Sequence, residues 1–154
     1  YPGADRKFGE TRVDLVDEQD NPIGLDRSSE NGADDFVTIN QLHIPVNKKI
    51  RIDLSSKDVI HNFKLPELRV SQDAIPGMVI PVHFTATSTS EEFLQTTVGT
   101  KREGKGLEIA CAQLCGLGHY RMKGYLTIHE DDSYQAWLDE QAEYIEDDEV
   151  GLYS

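Results

Sequence analysis

From Phe36 onward, apolar and polar residues alternate in short runs: Val37 and Ile39, then Leu42 and Ile44, then Ile50, Ile52 and Leu54. Successive side chains of a strand point to opposite faces, so a period of two predicts half-buried strands. Residues from Pro45 to Lys49 supply a turn. Val59, His61, Phe63 and Leu65 repeat the pattern and set one imidazole on an otherwise apolar face. The Pro-Gly pair in Asp73-Ala74-Ile75-Pro76-Gly77 predicts a turn. Val79, Ile80, Val82, Phe84 and Ala86 then form another strand. Two more are expected over Phe93 to Val98 and Leu107 to Ala110, separated by a loop from Gly99 to Gly106, and Gly124, Leu126 and Ile128 mark a closing strand. Residues 1–35 are polar, with a short alternating run from Thr11 to Val16, a turn at Asp20-Asn21-Pro22 and an exposed loop from Ser28 to Asp35. Short strands recurring from 11 to 129, with no helical periodicity among them, predict an all-β sandwich or barrel.

The period changes at the end of the chain. Tyr134, Trp137, Leu138, Tyr144 and Ile145 recur at helical spacing, and Asp131-Asp132-Ser133 offers an N-cap. One amphipathic helix is expected over residues 133–146, packed on the sandwich or on a partner subunit, with Trp137 as its anchor. The expected division is a β domain over 1–130 and an acidic helix and tail over 131–154.

Composition narrows the function. The 154 residues suffice for one domain with a core that needs no disulfide staples. A net charge of -13 disfavours nucleic acid and anionic lipid and favours a basic partner. After Lys123 there is no Lys or Arg, while ten acidic residues follow. That asymmetry fits a solvated helix, a salty medium or a docking surface. No run of eighteen apolar residues exists to cross a bilayer. The opening Tyr1-Pro2-Gly3 reads as a processed product or an excised soluble fragment.

The chemistry concentrates in Cys111 to Met122, CAQLCGLGHYRM, which holds both cysteines of the chain. Thiolate and thioether are soft donors that select copper, and imidazole suits copper too. Glycines at 116 and 118 let the loop bend sharply. One loop encloses a metal poorly, so a further ligand is expected from another strand, and His61 is the best placed. The backbone carbonyl of Gln113, between the cysteines, could fill a remaining position. A disulfide would leave His119 and Met122 unexplained. Zinc has no use for a Met, and a mononuclear copper site would leave one Cys idle. Two cysteines bridging two coppers use every residue. His43, His83 and His129 read as structural or surface imidazoles, and Met78 as packing. Phe63 is expected to cover the site, and Asp73 to brace its turn by bonding nearby amides.

With this loop, Asn40-Gln41-Leu42-His43-Ile44-Pro45-Val46, Asp58-Val59-Ile60-His61-Asn62-Phe63, the DAIPG turn and Phe84-Thr85-Ala86-Thr87, the sequence resembles the binuclear copper (CuA) domain of subunit II of the haem-copper cytochrome c oxidases. The resemblance covers roughly residues 37–130 and, more loosely, Tyr1 to Gly9. It implies a cupredoxin Greek-key β-sandwich with the copper loop at one end. It implies that Cys111 and Cys115 bridge two copper ions, that His61 and His119 each bind one, and that Met122 and the Gln113 carbonyl are weak ligands. It further implies electrons accepted from a c-type cytochrome and passed to haem in subunit I, where oxygen is reduced, on the periplasmic or equivalent outer face of an energy-transducing membrane. Membrane association would run through an N-terminal transmembrane hairpin, not included in these residues, or through partner subunits. Many members carry Glu where this chain has Gln113, which removes a carboxylate from the family's magnesium site, and there is no CxxCH haem motif. The alternative hosts are a nitric oxide or nitrous oxide reductase, disfavoured in the second case by Arg121 before the loop Met. A copper-binding or copper-delivery protein is the alternative of another class.

Overall fold

The computed structural model describes residues 1–3, 5–17, 20–111 and 123–151, with the backbone alone for 146–151. The chain divides into two compact units, Ile39–Tyr134 on one hand and Tyr1–Thr38 with Gln135–Ser154 on the other.

All the named strands lie in the unit Ile39–Tyr134. They are β1 (Gln41–Pro45), β2 (Lys49–Leu54), β3 (His61–Leu65), β4 (Val70–Ala74), β5 (Ile80–Thr85), β6 (Leu107–Cys111) and β7 (Lys123–His129). β2 and β5 form an antiparallel pair whose register sets Ile50 against Phe84, Ile52 against Val82 and Leu54 against Ile80. The alternation read from sequence is thus one inward face, while Arg51 and His83 pair outward. The other five strands form a sheet in the order β1-β7-β6-β3-β4, parallel between β1 and β7 and antiparallel elsewhere. Ile44, Val46, Leu65, Ala86, Leu107, Leu126 and Ile128 form the buried core, with Phe63, Phe84 and Phe93 packed against it. The DAIPG turn closes by a hydrogen bond from Met78 N to Ile75 O. Gly77 sits at φ +77°, the conformation that the third position of a type II turn requires after Pro76.

Three expectations are corrected here, and one strand is added. Phe93 to Val98 is not a strand, because helix α1 spans Ser90–Thr96. Its start is a capping box: Thr89 Oγ1 accepts from Glu92 N, and the Glu92 side chain accepts from Thr89 N. The run from Thr11 to Val16 is no strand either; Val13–Leu15 forms a single 3-10 turn. β4, which the sequence did not suggest, pairs with β3 at the sheet edge. Met78 is 52% exposed and packs into no core.

Helix α2 runs over Asp131–Gly151, longer at both ends than the periodicity predicts. In the second unit Trp137 stands edge-on to Tyr1 and Phe36, at 5.1 and 5.5 Å between ring centres, and anchors the helix as expected. Tyr144, assigned to the same face, remains exposed. Asp35 is buried; its carboxylate accepts from Gly3 N and Gly9 N, which ties the N-terminal segment into a closed loop. Gly9 passes so near Gly32 that a Cβ would lie 2.3 Å from its Cα. No helix among the described residues is long and apolar enough to cross a membrane.

The units differ sharply in charge. Tyr1–Thr38 with Gln135–Ser154 holds seventeen acidic residues against four basic ones, Arg6, Lys7, Arg12 and Arg27, which accounts for the whole net charge of -13. Ile39–Tyr134 carries eleven of each sign and is neutral. The acidity expected of the tail is therefore shared with the N-terminal segment.

Candidate metal centre

The strand register brings two of the expected ligands together. β3 pairs with β6 so that Phe63 lies opposite Cys111 and Lys64 opposite Ala110. His61 opens β3 and Cys111 closes β6, so fifty residues of separation become one strand spacing. His61 Nδ1 lies 4.0 Å from Cys111 Sγ. Gln113, Cys115, His119 and Met122 lie outside the described residues. Among the described residues no group of three His, Cys, Asp or Glu side chains is gathered as a metal site.

What surrounds the two donors fixes how they face. His61 Nε2 is 2.8 Å from Asp58 Oδ1, across the loop that enters β3. A carboxylate on one ring nitrogen turns the other toward the sulfur and sets the tautomer, as partners of metal-bound histidines do. The Asp58 hydrogen bond, working against burial, raises the His61 pKa above its ordinary value. The same bond, helped by Val59 N, draws Asp58 down to about 2. Cys111 Sγ also accepts a hydrogen bond from Asn62 N at 3.5 Å. The Asn62 side chain is held in turn: its Nδ2 donates to Asp73 Oδ1 at 2.7 Å, and its Oδ1 accepts from Ser71 Oγ. Asp73 therefore braces β3 against β4, and not the turn that follows it. Phe63 lies opposite Cys111 in the register and packs on the core.

The donors fit a soft first-row metal. Bonds of about 2.0 Å to imidazole and about 2.3 Å to thiolate reach a common ion when the two atoms are less than about 4.3 Å apart, and 4.0 Å falls inside that span. Asp58 and the Asn62–Asp73 brace escaped the sequence reading. Asp58 carried a local signal, an acid three residues before the candidate histidine; the brace required knowing that β4 pairs with β3.

The ion pair makes a prediction for the metal-free chain. His61 is raised, so its contribution to stability is full below about pH 6.5 and is lost as pH rises through its folded pKa. Asp58 is lowered, so its contribution is present above about pH 4 and is lost as pH falls through about 2. Asp58→Asn is expected to bring the His61 midpoint, followed by imidazole NMR, down toward its ordinary value. An unmoved midpoint would show that the contact does not form in solution.

Comparison with known proteins gives the family. The family described as cytochrome c oxidase subunit II, periplasmic domain, matches residues 26–128. The alternative cytochrome c oxidase subunit 2 of Bradyrhizobium diazoefficiens is 35% identical over 141 residues, which are 91% of this chain and 45% of that one. The chain thus spans less than half the length of this relative. The crystal structure of the periplasmic domain of subunit II of cytochrome oxidase from Bradyrhizobium japonicum superposes with a TM-score of 0.54 at 29% identity, over 70% of this chain and 67% of that one. A mixed disulfide intermediate between a thioredoxin-like protein and subunit II of cytochrome c oxidase matches with a TM-score of 0.50 at 26% identity, over 84% of this chain and 71% of that one. The fold is mostly β and cupredoxin-like with a C-terminal helix, as the alternating pattern and the resemblance led one to expect. On the family match and the shared fold together, the chain belongs to the family of the periplasmic domain of cytochrome c oxidase subunit II.

Proposed function

We propose that this chain is the electron-entry domain of a haem-copper terminal oxidase, facing the periplasm or its equivalent, and that it holds two copper ions. The observation that carries the reading is the approach of His61 Nδ1 to Cys111 Sγ across the β3–β6 register. His61, Cys111, Cys115, His119 and Met122, with the Gln113 carbonyl, would hold the metals. When bound, the copper pair supplies a one-electron couple shared over both ions.

The remaining work belongs to the protein. Asp58 orients the His61 ring, Asn62 N donates to the Cys111 sulfur, and the Asn62–Asp73 bond ties that donor to a second strand. A site held from three strands keeps its geometry when its charge changes, which favours fast transfer. Both cysteines must be reduced before they can bind metal as thiolates. The mixed disulfide of a related subunit II with a thioredoxin-like protein supports a thioredoxin-like reductant for this chain as well. The proposed redox partners are a c-type cytochrome as donor and subunit I as acceptor.

Stopped-flow mixing of reduced, basic cytochrome c with the copper-loaded chain tests the reading. One electron is expected to leave the cytochrome per chain. The rate is expected to fall severalfold as ionic strength rises past about 0.1 M, where charges are screened beyond about 10 Å. No cytochrome oxidation would overturn the electron-entry role.

A further inference from the structure

His43 and His129 lie away from the candidate metal centre. His43 is the middle residue of β1 and His129 the last of β7. The parallel register sets Pro45 opposite His129 and His43 opposite Thr127, so the two imidazoles lie diagonally on one face. His43 Nδ1 and His129 Nε2 are 2.8 Å apart, the ring centres are 5.1 Å apart, and the planes differ by 22°.

These values determine how the rings meet. A nitrogen of a five-membered ring lies about 1.15 Å from the ring centre. Two centres joined through a 2.8 Å contact can therefore be at most about 5.1 Å apart, and they reach that limit only when centres and nitrogens share one line. The observed separation is at the limit. The rings meet edge to edge rather than face to face, each aiming a nitrogen at the other.

That line favours a proton over a metal. An ion about 2.0 Å from both nitrogens would stand roughly 45° off the line and away from both lone pairs. A hydrogen lies on it. Gln41 Oε1 lies 3.3 Å from His43 Nε2, an arrangement that suits a hydrogen on that nitrogen. In the neutral pair one facing nitrogen donates to the other. With one proton added to the pair, the hydrogen between the rings can lie on either nitrogen, which spreads one charge over both. A second added proton would put hydrogens on both facing nitrogens.

We propose that His43 and His129 form a one-proton site, in which a single proton is taken up by the pair and shared along the linear N–H···N bond, and that a second proton parts the rings and loosens the β1–β7 edge. Burial lowers both histidines from their ordinary pKa, and the charge of His129 lowers His43 further. Stability from the neutral pair is therefore present above about pH 6.5 and is lost as pH falls through the lowered values. Around the pair, α2 presents Tyr134, whose ring centre is 6.1 Å from that of His129 and whose phenol burial holds above its usual pKa. Asp131 of α2 is paired with Lys48, from the turn after β1. On β6, Glu108 lies opposite Tyr125, toward the other end of β7, and is paired with Lys123. Two positive charges with centres 5.1 Å apart repel enough, at an effective dielectric of about 20, to separate the two protonations by roughly two pH units.

Imidazole nitrogen shifts of the 15N-labelled chain, followed from pH 8 to pH 4, test this. The expected result is a coupled titration in two steps about two units apart, with both rings responding in the first. His129→Gln is expected to turn the His43 titration into a single step; if that variant does not fold, His43→Gln read at His129 serves equally. Two independent single-step curves with coincident midpoints, or a His43 curve unmoved by loss of His129, would overturn the proposal. Zinc at micromolar concentration and pH 7 is expected to leave both rings' shifts unchanged. A saturable zinc-induced shift of both would mark a metal site and overturn it too.

Discussion

Cys111→Ser is expected to abolish two-copper loading and the thiolate-to-copper absorption expected of a loaded chain, while the β-sheet stays folded. The serine oxygen is a hard donor that stays protonated at neutral pH and cannot act as a bridging thiolate. Position 111 ends β6, and its backbone pairing opposite Phe63 does not depend on the side chain. The loss should therefore fall on metal binding, with circular dichroism unchanged and at most one copper per chain. A variant that kept two coppers and an unaltered absorption spectrum would remove Cys111 from the metal centre.

Leu65→Ala is expected to lower the stability of the metal-free chain by about 3 kcal/mol, since buried Leu→Ala changes fall between about 2 and 5 kcal/mol. Leu65 is 0% exposed and sits in the core beside Leu107 and Leu126. It closes the strand that His61 opens, so the cavity would loosen the element that presents the imidazole. Urea unfolding measures the effect. Metal must be absent, because a ligand that binds the folded state would mask part of the change. The comparison is Leu94→Ala on α1, at 37% exposure, where less than about 1 kcal/mol is expected. Equal effects at the two positions would contradict the core described here.

Much of the β unit was legible because alternation reports burial directly. Ile50, Ile52 and Leu54, and across from them Ile80, Val82 and Phe84, read as one face and form one. β4 was not legible: it is an edge strand in which Val70 and Ala74 turn inward around Ser71, Gln72 and Asp73, too few apolar positions for a period. α1 was misread because Phe93 and Val98 suggested a strand, although Thr89-Ser90-Glu91-Glu92 spelled a capping box just before it. In Tyr1–Thr38 the short alternations at Thr11–Val16 and at Val37 form no named strand, and the segment is held instead by specific bonds such as those to Asp35, which no pattern announces.

At the candidate metal centre the same division holds. His61 stood out as a lone imidazole on an apolar face, and Cys111 by its spacing in the loop. Their partners Asp58, Asn62 and Asp73 depend on which strands are neighbours. The pairing of His43 with His129 depends on a parallel register between strands more than eighty residues apart, so each read as an ordinary solitary histidine.

Electron paramagnetic resonance of the copper-loaded chain, with metal content measured on the same sample, addresses the central claim most directly. Two coppers per chain and one unpaired electron delocalised over a pair of equivalent nuclei are predicted. One copper per chain with a spectrum localised on a single nucleus would contradict the binuclear centre and the electron-entry role built on it.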